Sequence, residues 1–143
     1  MQIKVLIADD HAAVREGLRA LLARAAGITV IGMASDGAEA VNEVLRLDPN
    51  VVLMDISMPG MDGIEATRLL ANRCPGARVI MVSSHATMEH VRHAIRAGAW
   101  GYLVKEAGVE EFAQAIRRVH CGEQYLCERL IDRLAGERIS QGH

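Results

Sequence analysis

The sequence predicts an α/β fold: a doubly wound, five-stranded parallel sheet with helices on both faces. Three observations predict it. Five short β-favouring runs alternate strictly with five segments of helical apolar period, the pattern of a parallel sheet joined by crossover helices. The middle run, Val51-Val52-Leu53-Met54, is apolar at four successive positions, as a strand buried on both faces requires, and it ends abruptly at Asp55. Half of the 143 residues are hydrophobic but only 3% are aromatic, so the core is aliphatic, which suits an α/β protein better than an aromatic-rich β-sandwich.

Taken in order, Ile3 to Ala8 forms the first strand, closed by Asp9-Asp10-His11. Val14, Leu18, Leu21 and Leu22 then recur at i, i+4, i+7 and i+8, one face of a helix. Asp9 and Asp10 could simply cap that helix, and Gly27 is expected to end it. Ile28 to Ala34 is the second strand. Ser35-Asp36 opens a helix with Ala38, Val41, Val44 and Leu45 on one face, and Asp48-Pro49-Asn50 turns the chain. After the third strand, Pro59 and Gly60 interrupt and Gly63 starts a helix bearing Ile64, Thr67 and Leu70. That helix runs to about Arg73, where Cys74-Pro75-Gly76 breaks it. Val79 to Val82 is the fourth strand, closed by Ser83-Ser84. A helix from about Met88 to Ala97 turns Met88, Val91, Ala94 and Ile95 inward, and Gly98 ends it. Gly101 to Val104 is a short fifth strand leading into Lys105. The fifth helix, about Val109 to His120, buries Val109, Phe112, Ala113 and Ile116. Beyond Gly122 lies a last amphipathic segment with Leu126, Leu130, Ile131 and Leu134, then a polar tail from Gly136 to His143.

Composition narrows the function. A net charge of −2 provides no strong positive field, which argues against nucleic-acid binding by this chain alone. Cys74, Cys121 and Cys127 are odd in number and lack metal-site spacing, so they read as free thiols in a reducing cytoplasm. The apolar start is too short for a signal peptide, and no stretch approaches a membrane span. A cytoplasmic protein with no membrane partner is expected.

Right-handed crossovers favour the flavodoxin-like strand order 2-1-3-4-5, whose direction of winding reverses between strands one and three. That order gathers Asp9, Asp10 and Asp55 at one end of the sheet. Three converging carboxylates repel one another unless a proton or a cation neutralises them. Mg²⁺ suits such a site, since it takes one or two carboxylates, keeps several waters and completes its octahedron with phosphate oxygens. Ser83 and Lys105 end the two remaining strands at the same rim. Carboxylates with a metal, a hydroxyl and an ammonium are the groups that phosphoryl transfer needs. Asp55 is the best centred of the carboxylates and is the candidate nucleophile.

Over residues 1–121 these pieces resemble the receiver domain of two-component response regulators, a CheY-like fold. The resemblance is carried by Asp9-Asp10, by Asp55 with Met58-Pro59 and Asp62-Gly63 behind it, by Val82-Ser83-Ser84, and by Gly98-Ala99-Trp100-Gly101-Tyr102-Leu103-Val104-Lys105. It implies that Asp55 accepts a phosphoryl group from a sensor histidine kinase. It implies that Asp10, Asp55 and the backbone carbonyl of Ser57 ligate Mg²⁺, with Asp9 acting mainly through a bound water. Lys105 would contact the phosphoryl group, Ser83 would donate its hydroxyl to it, and Tyr102 would be the switch aromatic that turns inward as Ser83 moves. Such a domain is a phosphoacceptor rather than an enzyme with turnover, and it commonly forms a homodimer on phosphorylation.

Glu106 stands where many receivers have a proline after the lysine. That residue, the phrasing of Asp55 to Gly63, and Gly122-Glu123-Gln124-Tyr125-Leu126 resemble the NarL/FixJ (LuxR-type) subfamily and the start of its linker. Members usually continue into a helix-turn-helix domain that binds DNA and regulates transcription. Residues 122–143 are accordingly expected to be a linker helix and tail, with the DNA-binding domain absent from this chain; a stand-alone receiver acting through protein contacts is the alternative. Two other classes fit less well. A haloacid-dehalogenase-type phosphatase wants Asp-x-Asp after the first strand, and a flavin-binding module wants a Ser/Thr/Gly-rich phosphate loop there. Simple readings cover what remains: His11 as a solvated neighbour of Asp10, His90 and His93 as a wet helix face, Trp100 as local packing or a partner contact, and His85 as a residue that could tune the phosphoryl lifetime.

Overall fold

A computed structural model of the chain describes residues 2–84 and 87–126. The element order is β1 (Ile3–Ala8), α1 (Ala12–Leu22), β2 (Ile28–Ala34), α2 (Gly37–Leu47), β3 (Val51–Asp55), α3 (Gly63–Arg73), β4 (Arg78–Ser83), α4 (Met88–Ala97), β5 (Gly101–Val104), α5 (Val109–His120) and β6 (Tyr125–Leu126). Every strand pairing is parallel, in the order β2-β1-β3-β4-β5-β6. The doubly wound order 2-1-3-4-5 therefore stands, and a short sixth strand extends it beyond β5. Tyr125 and Leu126 were expected at the start of an amphipathic tail segment; two residues are too few to show a strand period. The rest of that segment, with Leu130, Ile131 and Leu134, lies outside the described residues, as does His85. Among the described residues no helix is long and apolar enough to cross a membrane.

The sheet separates two apolar layers, as successive strand side chains point to opposite faces. Leu6, Val52, Met54, Val79 and Met81 pack with Val41 and Val44 of α2, Leu70 of α3 and Val91 of α4. Val5, Ile7, Val51, Leu53 and Ile80 pack with Leu22 of α1 and Phe112 and Ile116 of α5. Each such aliphatic side chain, withdrawn from water, contributes about 1.5–3 kcal/mol. Of the positions expected inward on α2, Val41 and Val44 are buried, whereas Leu45 is 54% exposed and Ala38 is exposed too, Ala40 taking the inward place.

The helix starts follow local chemistry. The Asp36 carboxylate accepts from the Glu39 N–H at 2.8 Å and Asp62 accepts from the Glu65 N–H at 2.8 Å. Thr87 caps α4 in the same way. Such caps contribute about 1 kcal/mol each. Helix α1 departs from this pattern. Its N-cap is His11, which makes no side-chain cap hydrogen bond, so neither Asp9 nor Asp10 caps it. Nor does Gly27 end it. The helix stops at Leu22, capped by Ala23, although Arg24, Ala25 and Ala26 are good helix formers. The reason is tertiary. Ile28 has to register with Ile3, and Gly27, at φ +80°, turns the chain so that its carbonyl accepts the Ile3 N–H at 2.7 Å.

Register then delivers the site. Ala8 lies opposite Met54, Asp55 opposite Val82, and Ser83 opposite Val104. Asp9, Asp55, Ser83 and Lys105 thus end four adjacent strands at one level, with the Lys105 N–H donating to the Ser83 carbonyl at 2.9 Å.

Candidate functional site

Asp55 and Asp9 are almost fully buried, at 4% and 2% exposure, while Asp10 is open to solvent. The Lys105 ammonium bridges the two buried carboxylates, 3.2 Å from Asp9 Oδ2 and 3.4 Å from Asp55 Oδ2. Burial raises the pKa of Asp55 above the ordinary carboxylate value. The Asp9 charge adds to the rise, and Lys105 and the Ser57 N–H partly oppose it. Burial alone would lower the pKa of Lys105, but the charges of Asp55 and Asp9 outweigh it and raise the value. One ammonium therefore faces three carboxylates, and the crevice carries an excess of negative charge.

The structure brings together the residues singled out in the sequence. Asp9, Asp10, Asp55 and also His11 present potential ligand atoms that all lie within 4.8 Å of one another. A hard divalent ion fits this donor set: ligands about 2.1 Å from a common centre lie at most about 4.2 Å apart, so a closure of a few tenths of an ångström suffices. Ser57 stands beside Asp55, its N–H donating to Asp55 Oδ1 at 3.3 Å. Ser83 is buried and ends the strand beside β5, close enough to Tyr102 to lower its pKa. Tyr102 is fully buried. Burial raises its pKa, the Ser83 contact lowers it and the Asp55 charge raises it further.

His11 is more than a solvated neighbour. It is 67% exposed, but Nδ1 lies 3.0 Å from Asp10 Oδ1 and 3.4 Å from Asp9 Oδ1, and its own N–H donates to Asp9 Oδ1 at 2.9 Å. Arg15 donates to the Asp9 carbonyl at 2.7 Å, fixing the loop from the first turn of α1. Sequence reading missed it; the only signal was a cation one helical turn beyond an acidic pair. His90 is held locally, its Nδ1 2.8 Å from Thr87 Oγ1. Trp100 packs locally as well, under the Arg78 guanidinium at 4.5 Å.

Gly63 fixes the floor of the site. Its N–H donates to the Ile56 carbonyl at 2.9 Å, closing the loop after β3, and a Cβ at this position would overlap the Asp55 carbonyl oxygen. Gly63→Ala is expected to cost about 1–3 kcal/mol, as overpacking against backbone typically does. Because the displaced atoms belong to Asp55, the substitution should also shift its carboxylate. Thermal melts and a crystal structure of the variant check both effects.

Comparison with known proteins agrees with this geometry. The family model described as response regulator receiver domain matches residues 5–117. The response regulator GacA of Pseudomonas aeruginosa is 41% identical over 133 residues, covering 93% of this chain and 62% of GacA. The transcriptional regulatory protein LiaR of Bacillus subtilis is 42% identical over 139 residues, covering 97% of this chain and 64% of LiaR. The chain thus spans less than two thirds of the length of either relative. A crystal structure of a LuxR-family two-component response regulator from Aurantimonas superposes with a TM-score of 0.92 at 33% identity, covering 97% of this chain and 99% of that one.

Proposed function

The chain belongs to the response regulator receiver domain family, with relatives in its NarL/FixJ branch, and from that membership we propose that Asp55 is the phosphoacceptor of a two-component signalling switch. The observation that carries the reading is the buried Asp55 carboxylate at the end of the central strand, with Lys105 beside it and Asp9 and Asp10 against it. A carboxylate oxygen of Asp55 attacks phosphorus in line. The new O–P bond forms as the bond from phosphorus to the donor, a phosphohistidine nitrogen of a sensor kinase, breaks; the donor nitrogen keeps that electron pair. Asp10, Asp55 and the Ser57 carbonyl would hold Mg²⁺, with Asp9 acting through water, and the ion would neutralise charge on the equatorial oxygens. Lys105 moves from bridging Asp9 and Asp55 to contact the transferred group. Ser83 donates its hydroxyl to the same group, and Tyr102, buried beside Ser83, locks inward.

The switch then biases a surface built from α4, β5 and α5, a local electrostatic event read out by assembly. Residues 1–121 are the receiver in this reading. Residues 122–143 begin the linker to a DNA-binding output, and a phosphorylation-dependent homodimer in the cytoplasm is the working form. The domain modifies and demodifies itself without turning over a separate substrate.

The test is intact mass spectrometry after incubation with acetyl phosphate. One phosphoryl group per chain is expected with Mg²⁺ and none after chelation. Steady hydrolysis of a simple phosphate ester would instead favour the phosphatase reading. Absence of any adduct, together with failure to take up beryllofluoride, would overturn the phosphoacceptor reading.

A further inference from the structure

The strand β6 forms the margin of the sheet three strands from β3 and Asp55, and it is built onto β5, one of the two strands that carry the proposed phosphoryl-sensing groups. β5 contains Tyr102 and leads into Lys105; β4 ends in Ser83. Tyr125 pairs with Gly101 and Leu126 pairs with Tyr102 itself, and the Tyr125 N–H donates to the Trp100 carbonyl at 2.9 Å. Gly101 allows this approach, because a Cβ there would sit 3.0 Å from the Tyr125 carbonyl oxygen. Leu126 packs into the same apolar layer as Tyr102.

The arrival of the segment is equally fixed. Gly122, at φ +90°, closes α5 with its N–H on the Val119 carbonyl. Arg78, the first residue of β4, donates to the carbonyls of Val119 and His120 at 2.9 and 3.0 Å while stacking over Trp100. The Tyr125 hydroxyl donates to Glu111 Oε2 at 3.1 Å. The point where the chain leaves the sheet is therefore hydrogen-bonded to β5 and tied through Arg78 to β4.

Resting on the phosphoacceptor reading of Asp55, we infer that β6 is the output contact of the switch: its docking on β5 and the inward position of Tyr102 support one another, so the state of Asp55 is read at the chain's exit. In this structure the two occur together, with Leu126 against the strand position whose side chain turns. Coupling between sites is reciprocal in binding free energy. A ligand that favours inward Tyr102 must tighten β6, and loosening β6 must weaken that ligand by the same factor.

The experiment uses the full chain, Mg²⁺ and beryllofluoride as the phosphoryl analogue. Hydrogen-exchange mass spectrometry should show slower exchange in the peptide covering residues 122–126 when the analogue is bound, with β2 unchanged. Leu126→Ala, confirmed folded by circular dichroism, should bind the analogue about fivefold or more weakly by calorimetry, a coupling of ordinary size. Wild-type protein that binds the analogue with unchanged exchange at 122–126 overturns the inference and leaves the phosphoacceptor reading intact. So does a folded Leu126→Ala with wild-type affinity. Wild-type protein that binds no analogue overturns the phosphoacceptor reading and this inference with it. The exchange measurement needs no variant, so an unfolded Leu126→Ala does not protect the inference.

Discussion

Replacing Asp55 is expected to abolish the proposed phosphoryl adduct and, at neutral pH, to make the protein harder to unfold. With Asp55→Ala, no mass gain is expected from acetyl phosphate and Mg²⁺ under conditions in which wild type gains one group. The stability half is cleaner in the isosteric Asp55→Asn. Burial, followed by the Asp9 charge, raises the pKa of Asp55. A carboxyl whose folded pKa exceeds its unfolded value binds its proton more tightly in the native state. Its stabilising contribution is fully present below the unfolded value and is lost as pH rises through the folded one. At neutral pH wild type therefore holds an ionised group that the fold disfavours, and asparagine removes the charge while keeping the shape. A gain of about 1 kcal/mol, or roughly 3 °C in melting temperature for a chain of this size, is expected. The gain should shrink as the melts are repeated at pH falling through the raised folded value of Asp55, where wild type takes up its proton. A variant that keeps the adduct would move the phosphoacceptor to another residue. A variant that lacks it but melts below wild type at neutral pH would refute the electrostatic account.

Lys105→Met has the opposite sign in stability and a large effect in rate. The lysine bridges Asp9 and Asp55, both nearly inaccessible to water, and methionine keeps the apolar stem without the charge. The stranded carboxylates lose a charged partner, a loss that costs about 1–3 kcal/mol for buried hydrogen-bonding groups and more where ions are fully enclosed. The phosphorylation rate should fall by about 10²–10³, as when one preorganised donor to a developing oxyanion is removed. Although burial opposes it, Asp55 and Asp9 raise the pKa of Lys105, so its stabilising contribution is present below the ordinary lysine value and lost as pH climbs through the raised one. The difference between wild type and Lys105→Met should therefore persist across neutral pH and narrow only in strong alkali. Combining it with Asp55→Asn should cost less than the sum of the two single changes predicts, since the groups touch. Additive effects in that cycle would show that the ammonium acts elsewhere.

The parts of the molecule that were legible in the sequence are those where one local signal sufficed. Four apolar residues ending in Asp55 located the central strand and the candidate nucleophile together, and Gly63 gave the start of α3, which Asp62 caps by accepting from the Glu65 N–H. The harder parts depend on partners distant in the chain. Asp9 and Asp10 have the composition of helix caps, and only the neighbouring strand ends reveal that they face Lys105 and Asp55 instead. The early end of α1 is imposed by the pairing of Ile28 with Ile3, which overrides the helix preference of Arg24 to Ala26. Arg78 reads as an ordinary strand-end cation, and its role in holding the end of α5 depends on residues more than forty positions away. The described part of β6 has two residues, too few for any period, and it approaches Gly101 so closely that a Cβ there would crowd the Tyr125 carbonyl oxygen.

That last strand also bears on solubility. An exposed strand edge is a template on which another molecule can build, and proteins blunt such edges with very short strands or bulges. Among the described residues the side of β5 carries the two residues of β6, with the Tyr125 hydroxyl bound to Glu111 of α5. On the other side β2 is seven residues long, and an irregularity in its pairing with β1, between Val5 and Leu6, breaks the ladder partway. The β2 margin thus carries one of the irregularities by which proteins blunt an edge against an incoming chain.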